Sequence, residues 1–270
     1  MGKPIPNNLD YVSVTENETS LVNENKTEQT TNDNNEMSEI PELREYKGRT
    51  YTIEIAGGAI LGGLSVLIGF LWDAYVEGIL GGPQFAPGMT WLDLLAIPIL
   101  VAFFVFGIRS GLIACVIGCG AIAGYLSEGG FGWLAMLPKF VATITMFLVP
   151  WTILKINNNR KAKNKFRILK TLDYSSETFN SVGNYAFLMG NAILFRMIFT
   201  FIFNLFVVIP LYFYLVYGGE TFETVFTEPI LFLTFVGGYT AWNIVQGVSD
   251  SIISYLIAYP THLYKVFSTW

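Results

Sequence analysis

Six long runs of apolar residues follow a polar N-terminal segment in this chain. An α-helix needs about 20 mostly apolar residues to cross the hydrocarbon core of a bilayer. Unbroken apolar runs also argue against a membrane β-barrel, whose strands alternate. The pattern predicts an all-α integral membrane protein with six transmembrane helices, at about residues 53–72, 92–106, 110–126, 134–154, 187–217 and 230–259.

The first 48 residues have the opposite composition. They are rich in Asn, Glu and Thr, and they contain few of the apolar residues that a folded core requires. Such a segment cannot bury enough apolar surface to offset the entropy lost on ordering. We therefore expect a disordered tail over residues 1–48 and a six-helix membrane domain over residues 49–270.

The positions of Lys and Arg predict how the helices are oriented. Cytoplasmic connections of membrane proteins carry an excess of these residues. Here they precede the first run, join the second to the third and the fourth to the fifth, and follow the sixth, whereas the opposite connections are acidic. The chain is thus expected to be a multi-pass protein of the cell membrane with both termini in the cytoplasm, and its tail is expected to be cytoplasmic.

Composition narrows the classes of function. Hydrophobic residues make up 52% of the chain and charged residues only 14%, against about 25% charged residues in soluble domains. This excludes an ordinary soluble enzyme and a nucleic-acid-binding domain. The sequence also lacks a phosphate-binding GxxxxGK[ST] loop, an HExxH motif and a GxSxG motif. We predict no catalytic residues, and we interpret any use of ATP as the work of another subunit.

The cysteine and histidine content is too small for a metal site. Cys115 and Cys119 lie four residues apart in one apolar run, and His262 is the single histidine. Zinc normally takes four such ligands in a structural site and three in a catalytic one. We therefore expect no metal site, and we interpret the two cysteines as small packing residues on one helix face.

Small residues recur at a spacing of four in the first helix. Gly58 and Gly62 form one such pair, and Ala59 and Gly63 form a second. This spacing lets another helix approach closely in a membrane. Two interpretations are equally favoured by the spacing: docking of a partner protein, and packing within the chain's own bundle.

The sixth helix carries a polar face. Asn243, Gln246, Asp250 and Ser254 follow one another at spacings of three, four and four, so they share one side of a helix. The fifth helix contributes Arg196 and Asn204. Counting residues along the two antiparallel helices places the Arg196 and Asp250 charges at similar depth.

Such polar groups are costly in a membrane and normally face a cavity or a partner helix. We therefore interpret Arg196 and Asp250 as a structural ion pair. Asn204, Asn243 and Gln246 are predicted to contact a ligand, with hydrogen bonding between helices as the alternative.

Four short sequence elements occur in order along the chain. They read Asp93-Leu94-Leu95-Ala96-Ile97-Pro98, Phe106-Gly107 with Gly111, Asn204 with Ile209-Pro210-Leu211-Tyr212, and Asn243-Ile244-Val245-Gln246-Gly247. Together they resemble the substrate-binding S component of energy-coupling-factor (ECF) vitamin transporters, above all its riboflavin-type branch. They are similar to that family's DLxxIP opening of the second helix, its FGxxxG turn, its Asn…LPLY element and its NxxKG element. The resemblance covers about residues 51–265.

The resemblance implies a division of labour between subunits. An S component binds a vitamin near the outer face, docks on a membrane T component, and is driven by two cytoplasmic ATPases that alone use ATP. It implies ligand hydrogen bonds from Asn204 and Asn243, and T-component docking through Gly58, Ala59, Gly62 and Gly63. The transported vitamin would be the only ligand, with no permanently bound cofactor.

Further contacts are expected from the outer end of the bundle. Phe85 and Trp91 stand in or beside a Gly/Pro-rich loop whose composition favours a mobile lid and a plain surface loop equally. In the lid interpretation we expect both rings to stack on a ligand ring, and Asp93 follows them. The chain departs from the riboflavin-type pattern at Gln246, where the family carries Lys. A neutral amide still donates and accepts hydrogen bonds, so riboflavin or a related heterocycle is the expected ligand.

Two other classes remain as alternatives. An intramembrane enzyme would have Asp93 and Lys139 as its best candidate residues, although they form no recognisable nucleophile–base set. An ion-coupled carrier usually contains internal repeats, and the two halves of this chain share no convincing self-similarity.

Overall fold

The computed structural model describes residues 51–72, 75, 93–125, 132–160, 167–217, 227 and 233–267. These residues all belong to one unit of the fold, Leu43–Trp270. The predicted tail over residues 1–48 lies outside the described residues, as do Phe85 and Trp91.

Every regular element of the described residues is helical. Those residues contain no β-strand, so the prediction of an all-α protein is confirmed for them. The α-helices are α1 (Tyr51–Leu71), α2 (Ala96–Phe106), α3 (Ile108–Tyr125), α4 (Gly132–Arg160), α5 (Arg167–Lys170), α6 (Val182–Phe203), α7 (Ile209–Tyr217), α8 (Tyr239–Ala258) and α9 (Leu263–Phe267).

Three of these helical segments are long and apolar enough to cross a membrane. They are Tyr51–Leu71, Met136–Asn159 and Val182–Leu211, and two shorter apolar helices cover Ala96–Phe106 and Ile108–Gly124. Each of the six predicted runs therefore corresponds to a helical region, and three of them have the length and composition of membrane spans. α8 has 20 residues, but its polar face interrupts the apolar sequence.

A stretch of π-helix joins α6 to α7. It covers Asn204–Val208, and the backbone N–H of Ile209 bonds to the carbonyl oxygen of Asn204, five residues earlier. A second π-helical stretch, Leu233–Gly238, leads into α8. Short π segments inside helices frequently accompany functional sites, and here one begins at a predicted ligand residue.

α2 lies at the centre of the described bundle. Its residues from Ala96 to Val105 are all buried, as expected for a helix that is apolar on every side. It packs against α1, α3 and α8. Its last turns join a cluster of aromatic rings that includes Phe103, Phe104, Phe179 and Tyr259, which fixes one end of the bundle.

A glycine turn folds α3 back against α2. Gly107 has a φ of 94°, a conformation that side chains with a Cβ rarely adopt. Gly111 then faces α2 so closely that an added Cβ would lie 3.0 Å from Cβ of Phe103. The FG…G element quoted above thus has a physical basis in this chain, since one glycine permits the turn and the other the close packing after it.

α1 packs against α3 through two of its small residues. An added Cβ on Gly58 would lie 2.8 Å from the Ser110 carbonyl oxygen, and one on Gly62 would lie 3.1 Å from the Cα of Ala114. Gly63 has nothing within 4 Å of the corresponding position, and Ala59 is exposed. The small-residue pattern therefore serves two sides of α1, and Gly58 and Gly62 face the chain's own bundle.

Candidate functional site

A buried ion pair joins α6 to α8. Nη1 of Arg196 lies 3.2 Å from Oδ2 of Asp250, and each side chain is only 1% exposed. The hydroxyl of Thr200, one turn further along α6, donates to the carbonyl oxygen of Arg196 at 2.7 Å. The ion pair predicted from helix depth is confirmed.

Asn243 extends this ion pair into a network. Its Oδ1 accepts a hydrogen bond from Nη2 of Arg196 at 3.4 Å, and its Nδ2 donates to the carbonyl oxygen of Tyr239 at 2.9 Å. Both ends of the amide therefore have protein partners. The bond to Arg196 is the hydrogen bonding between helices that is the alternative to ligand contact. One N–H and one oxygen lone pair of the amide remain for a further partner.

Gln246 connects α8 to the segment that precedes α2. Its Nε2 donates to the backbone carbonyl oxygen of Asp93 at 3.1 Å. The Ser65 hydroxyl of α1 donates to the carbonyl oxygen of Leu95. The start of α2 is thus held by α1 and α8 through the backbone of residues 93–95.

The Asp93 side chain has two partners of its own. Oδ1 accepts from the backbone N–H of Leu95 at 2.8 Å, which satisfies a donor at the entry to α2. Oδ2 forms an ion pair with Nζ of Lys139, on α4. The two side chains are 15% and 12% exposed, so this pair is more accessible than Arg196–Asp250.

The two ion pairs form one balanced group of charges. They are joined through α8, on which Asp250 lies one turn beyond Gln246, and Gln246 bonds to the backbone carbonyl oxygen of Asp93. Two cations and two anions therefore occupy the region where α2, α4, α6 and α8 meet. Balanced pairing is the usual way that buried charges are accommodated, and it makes this region the main polar centre of the described structure.

Asn204 differs from the other two amides. It is 4% exposed, and its side chain has no hydrogen bond among those found for the described residues. Its position at the first residue of the π-helical stretch widens the backbone locally. Of the three predicted ligand amides, Asn204 has the most unused hydrogen-bonding capacity within the described part of the chain.

The polar face of α8 is directed at other helices along its whole length. Asn243 and Asp250 bond to α6, and Gln246 bonds to Asp93 in the segment that precedes α2. The Ser254 hydroxyl donates to the carbonyl oxygen of Ile97 on α2 at 3.3 Å. The prediction that these residues share one inward face is confirmed. Whether the amides also bind a ligand stays a prediction.

Sequence reasoning missed one member of the polar centre. The sequence pattern indicates Lys139 only as a candidate residue of an intramembrane enzyme, whereas the structure makes it the ionic partner of Asp93. The available signal was a lone basic residue within an apolar helix, which is costly unless it is paired. No group of three or more potential metal ligands occurs among the described residues, and Cys115 and Cys119 pack in the core with their sulfur atoms 3.9 Å apart.

Comparison with known proteins adds no relative to this picture: no protein-family model matches the chain, and no curated protein or solved structure matches it. The described residues define an all-helical chain with membrane-length helices and a buried, charge-balanced polar centre.

Proposed function

We propose that this protein is the S component of an ECF-type importer, which binds a vitamin near the outer face of the cell membrane. The observation that carries the proposal is the polar centre between α2, α6 and α8. Asn243 and Gln246 belong to it through their bonds to Arg196 and to the Asp93 carbonyl oxygen, and Asn204 is buried where α6 passes into the π-helical stretch. All three amides belong to sequence elements that carry the resemblance to the family.

The expected ligand is riboflavin or a related planar heterocycle. Amide side chains offer both donors and acceptors, as the edge of such a ring does. A ligand that failed to match them would leave buried polar groups unpaired, which makes discrimination strong. Phe85 and Trp91 complete the proposal as aromatic contacts, and Asp93 borders the same site through its bond to Gln246.

Transport in this proposal requires three partner subunits. A T component docks on the membrane face of the chain, and two ABC-type ATPases supply the energy. Of the four small residues predicted for docking, Ala59 and Gly63 are the exposed ones, whereas Gly58 and Gly62 face α3. Ala59 and Gly63 therefore form the proposed docking surface. Six spans, with both termini in the cytoplasm, belong to the same proposal.

Riboflavin fluorescence quenching tests the ligand site directly. The purified parent in detergent should quench riboflavin, and Asn204→Leu should weaken binding about tenfold or more, because a buried hydrogen bond is lost. Asn191→Leu is the matched control: it lies on the same helix, and its Nδ2 bonds to the carbonyl oxygen of Phe187 in the preceding turn. Equal binding by the parent and both variants would contradict this site.

One observation favours a second candidate, an ion-coupled carrier. Buried ionisable groups on membrane helices often mark ion or proton pathways, and this chain has four of them in one region. Reconstitution of the protein alone in vesicles separates the two candidates. Uptake driven by an ion gradient, without ATPases, would favour the carrier, and uptake only with the T component and ATP would favour the S component.

A further inference from the structure

The orientation of the Asn243 amide is determined at both ends. A guanidinium carries only donors, and a backbone carbonyl is only an acceptor. Oδ1 of Asn243 must therefore face Arg196, and Nδ2 must face the carbonyl oxygen of Tyr239, as the distances of 3.4 and 2.9 Å indicate. A flipped amide would oppose donor to donor and acceptor to acceptor.

Arg196 is itself held in place. Its Nη1 pairs with Asp250 at 3.2 Å in surroundings that leave both side chains 1% exposed. Movement of the guanidinium away from Asp250 would leave two charges unpaired in a region of low dielectric, which is costly. Asp250 thus holds the Arg196 guanidinium in place, and the guanidinium in turn orients the Asn243 amide.

This arrangement decides which hydrogen-bonding groups Asn243 has left. One N–H of Nδ2 and one lone pair of Oδ1 remain after the two bonds are counted. A cation that donates to Oδ1 draws electron density toward the oxygen, so the remaining N–H becomes a stronger donor. The oxygen, already engaged by a cation, becomes a poorer acceptor.

We propose that Arg196 is a positioning residue that makes Asn243 a hydrogen-bond donor to the transported molecule. The ligand then presents an acceptor at this point, such as a ring carbonyl oxygen or an unprotonated ring nitrogen. This inference rests on the proposed function and assigns a direction to one of its hydrogen bonds. A purely structural ion pair would have no effect on how strongly Asn243 donates to the ligand.

Asn243→Asp tests the direction of the bond. The carboxylate has nearly the same shape and still accepts from Arg196, but it has no N–H to donate. The affinity for riboflavin, measured by quenching with the full-length protein, should weaken about tenfold or more. A thermal-unfolding midpoint well above the assay temperature shows that the variant is folded. Binding by folded Asn243→Asp that equals the parent's would show that the ligand accepts no hydrogen bond from residue 243, and would overturn the inference.

A neutral double variant, Arg196→Gln with Asp250→Asn, tests the role of Arg196. It removes one charge of each sign, and Gln can donate or accept, so the cation no longer polarises the Asn243 amide and only the Tyr239 carbonyl still orients it. Weaker binding with unfolding close to the parent's supports positioning. If this variant binds riboflavin as the parent does, while Asn243→Leu does not bind it, the positioning role of Arg196 is overturned. The single variant Arg196→Lys keeps a donor-only cation beside Asn243. Its affinity for riboflavin should stay within about threefold of the parent's.

The design separates failure of the inference from failure of the proposed function. If the neutral double variant does not fold, the affinity of Asn243→Asp for riboflavin decides whether residue 243 donates to the ligand. A parent protein that binds neither riboflavin nor any other vitamin in a panel would overturn the proposed function, and the inference with it. A parent that binds, with Asn243→Asp unaffected, would overturn only the inference.

Discussion

The backbone carbonyl oxygen of Ser110 lies 2.8 Å from the point that a Cβ atom on Gly58 would occupy. At this contact α1 and α3 meet almost backbone to backbone, and glycine is needed because any side chain would displace one helix. Gly62 repeats the contact one turn later, against Ala114. Two of the four small residues on α1, Gly58 and Gly62, therefore serve packing within the chain's own bundle.

We predict that Gly62→Leu destabilises the protein. The added side chain must enter the space held by Ala114 and Ile117, and overpacking typically costs about 1–3 kcal/mol or more. The midpoint of thermal unfolding in detergent should fall. Gly63→Leu is the adjacent control, since nothing lies within 4 Å of its Cβ position, and it should unfold at the parent's temperature or slightly above it, because Leu has a higher helix propensity than Gly. Equal stability of the two variants would contradict the observed α1–α3 contact.

Gly63→Leu and Ala59→Leu have a second use as tests of partner docking. If the T component packs on the outward side of α1, a bulky residue there should block transport in cells that supply the T component and ATPases. Ligand binding by the isolated variants should be unchanged, because neither position faces α3. Normal uptake by both variants would place the docking surface elsewhere.

Removal of one partner from the Arg196–Asp250 pair should be strongly destabilising. A lone buried charge costs about 3–5 kcal/mol, so Arg196→Met and Asp250→Leu should each unfold at lower denaturant concentration. The double variant should recover part of the loss, since it leaves neither charge unpaired. Strict additivity in this double-mutant cycle would show that the two residues do not interact.

Gly107→Ala should destabilise the turn between α2 and α3. The backbone φ of 94° at this position is unfavourable for a residue with a Cβ, at a cost of about 1–3 kcal/mol. Gly120→Ala, in the open on α3, is the matched control and should stabilise by about 0.5–1 kcal/mol through helix propensity. Thermal unfolding of the two variants should move in opposite directions. A rise for Gly107→Ala would contradict the observed turn.

Helices were predictable from the sequence because their signal is local. Where water is absent, the backbone N–H and C=O groups of an apolar run must hydrogen-bond to one another, and an α-helix satisfies them within one segment. Each predicted run therefore corresponds to a helical region. The depth of Arg196 and Asp250 was equally accessible, because the rise per residue of a helix is constant. The shared face of Asn243, Gln246, Asp250 and Ser254 followed from helical periodicity alone.

The partners of those residues depended on tertiary structure. Spacing placed Gly58, Ala59, Gly62 and Gly63 on one helix, but only the approach of α3 decided which of them face inward. Likewise, a single sequence could not assign Lys139 to Asp93, or Gln246 to the Asp93 carbonyl, because these residues are far apart along the chain. Local periodicity determined the helices and their polar faces, whereas long-range packing decided which groups satisfy each other and which remain for a ligand.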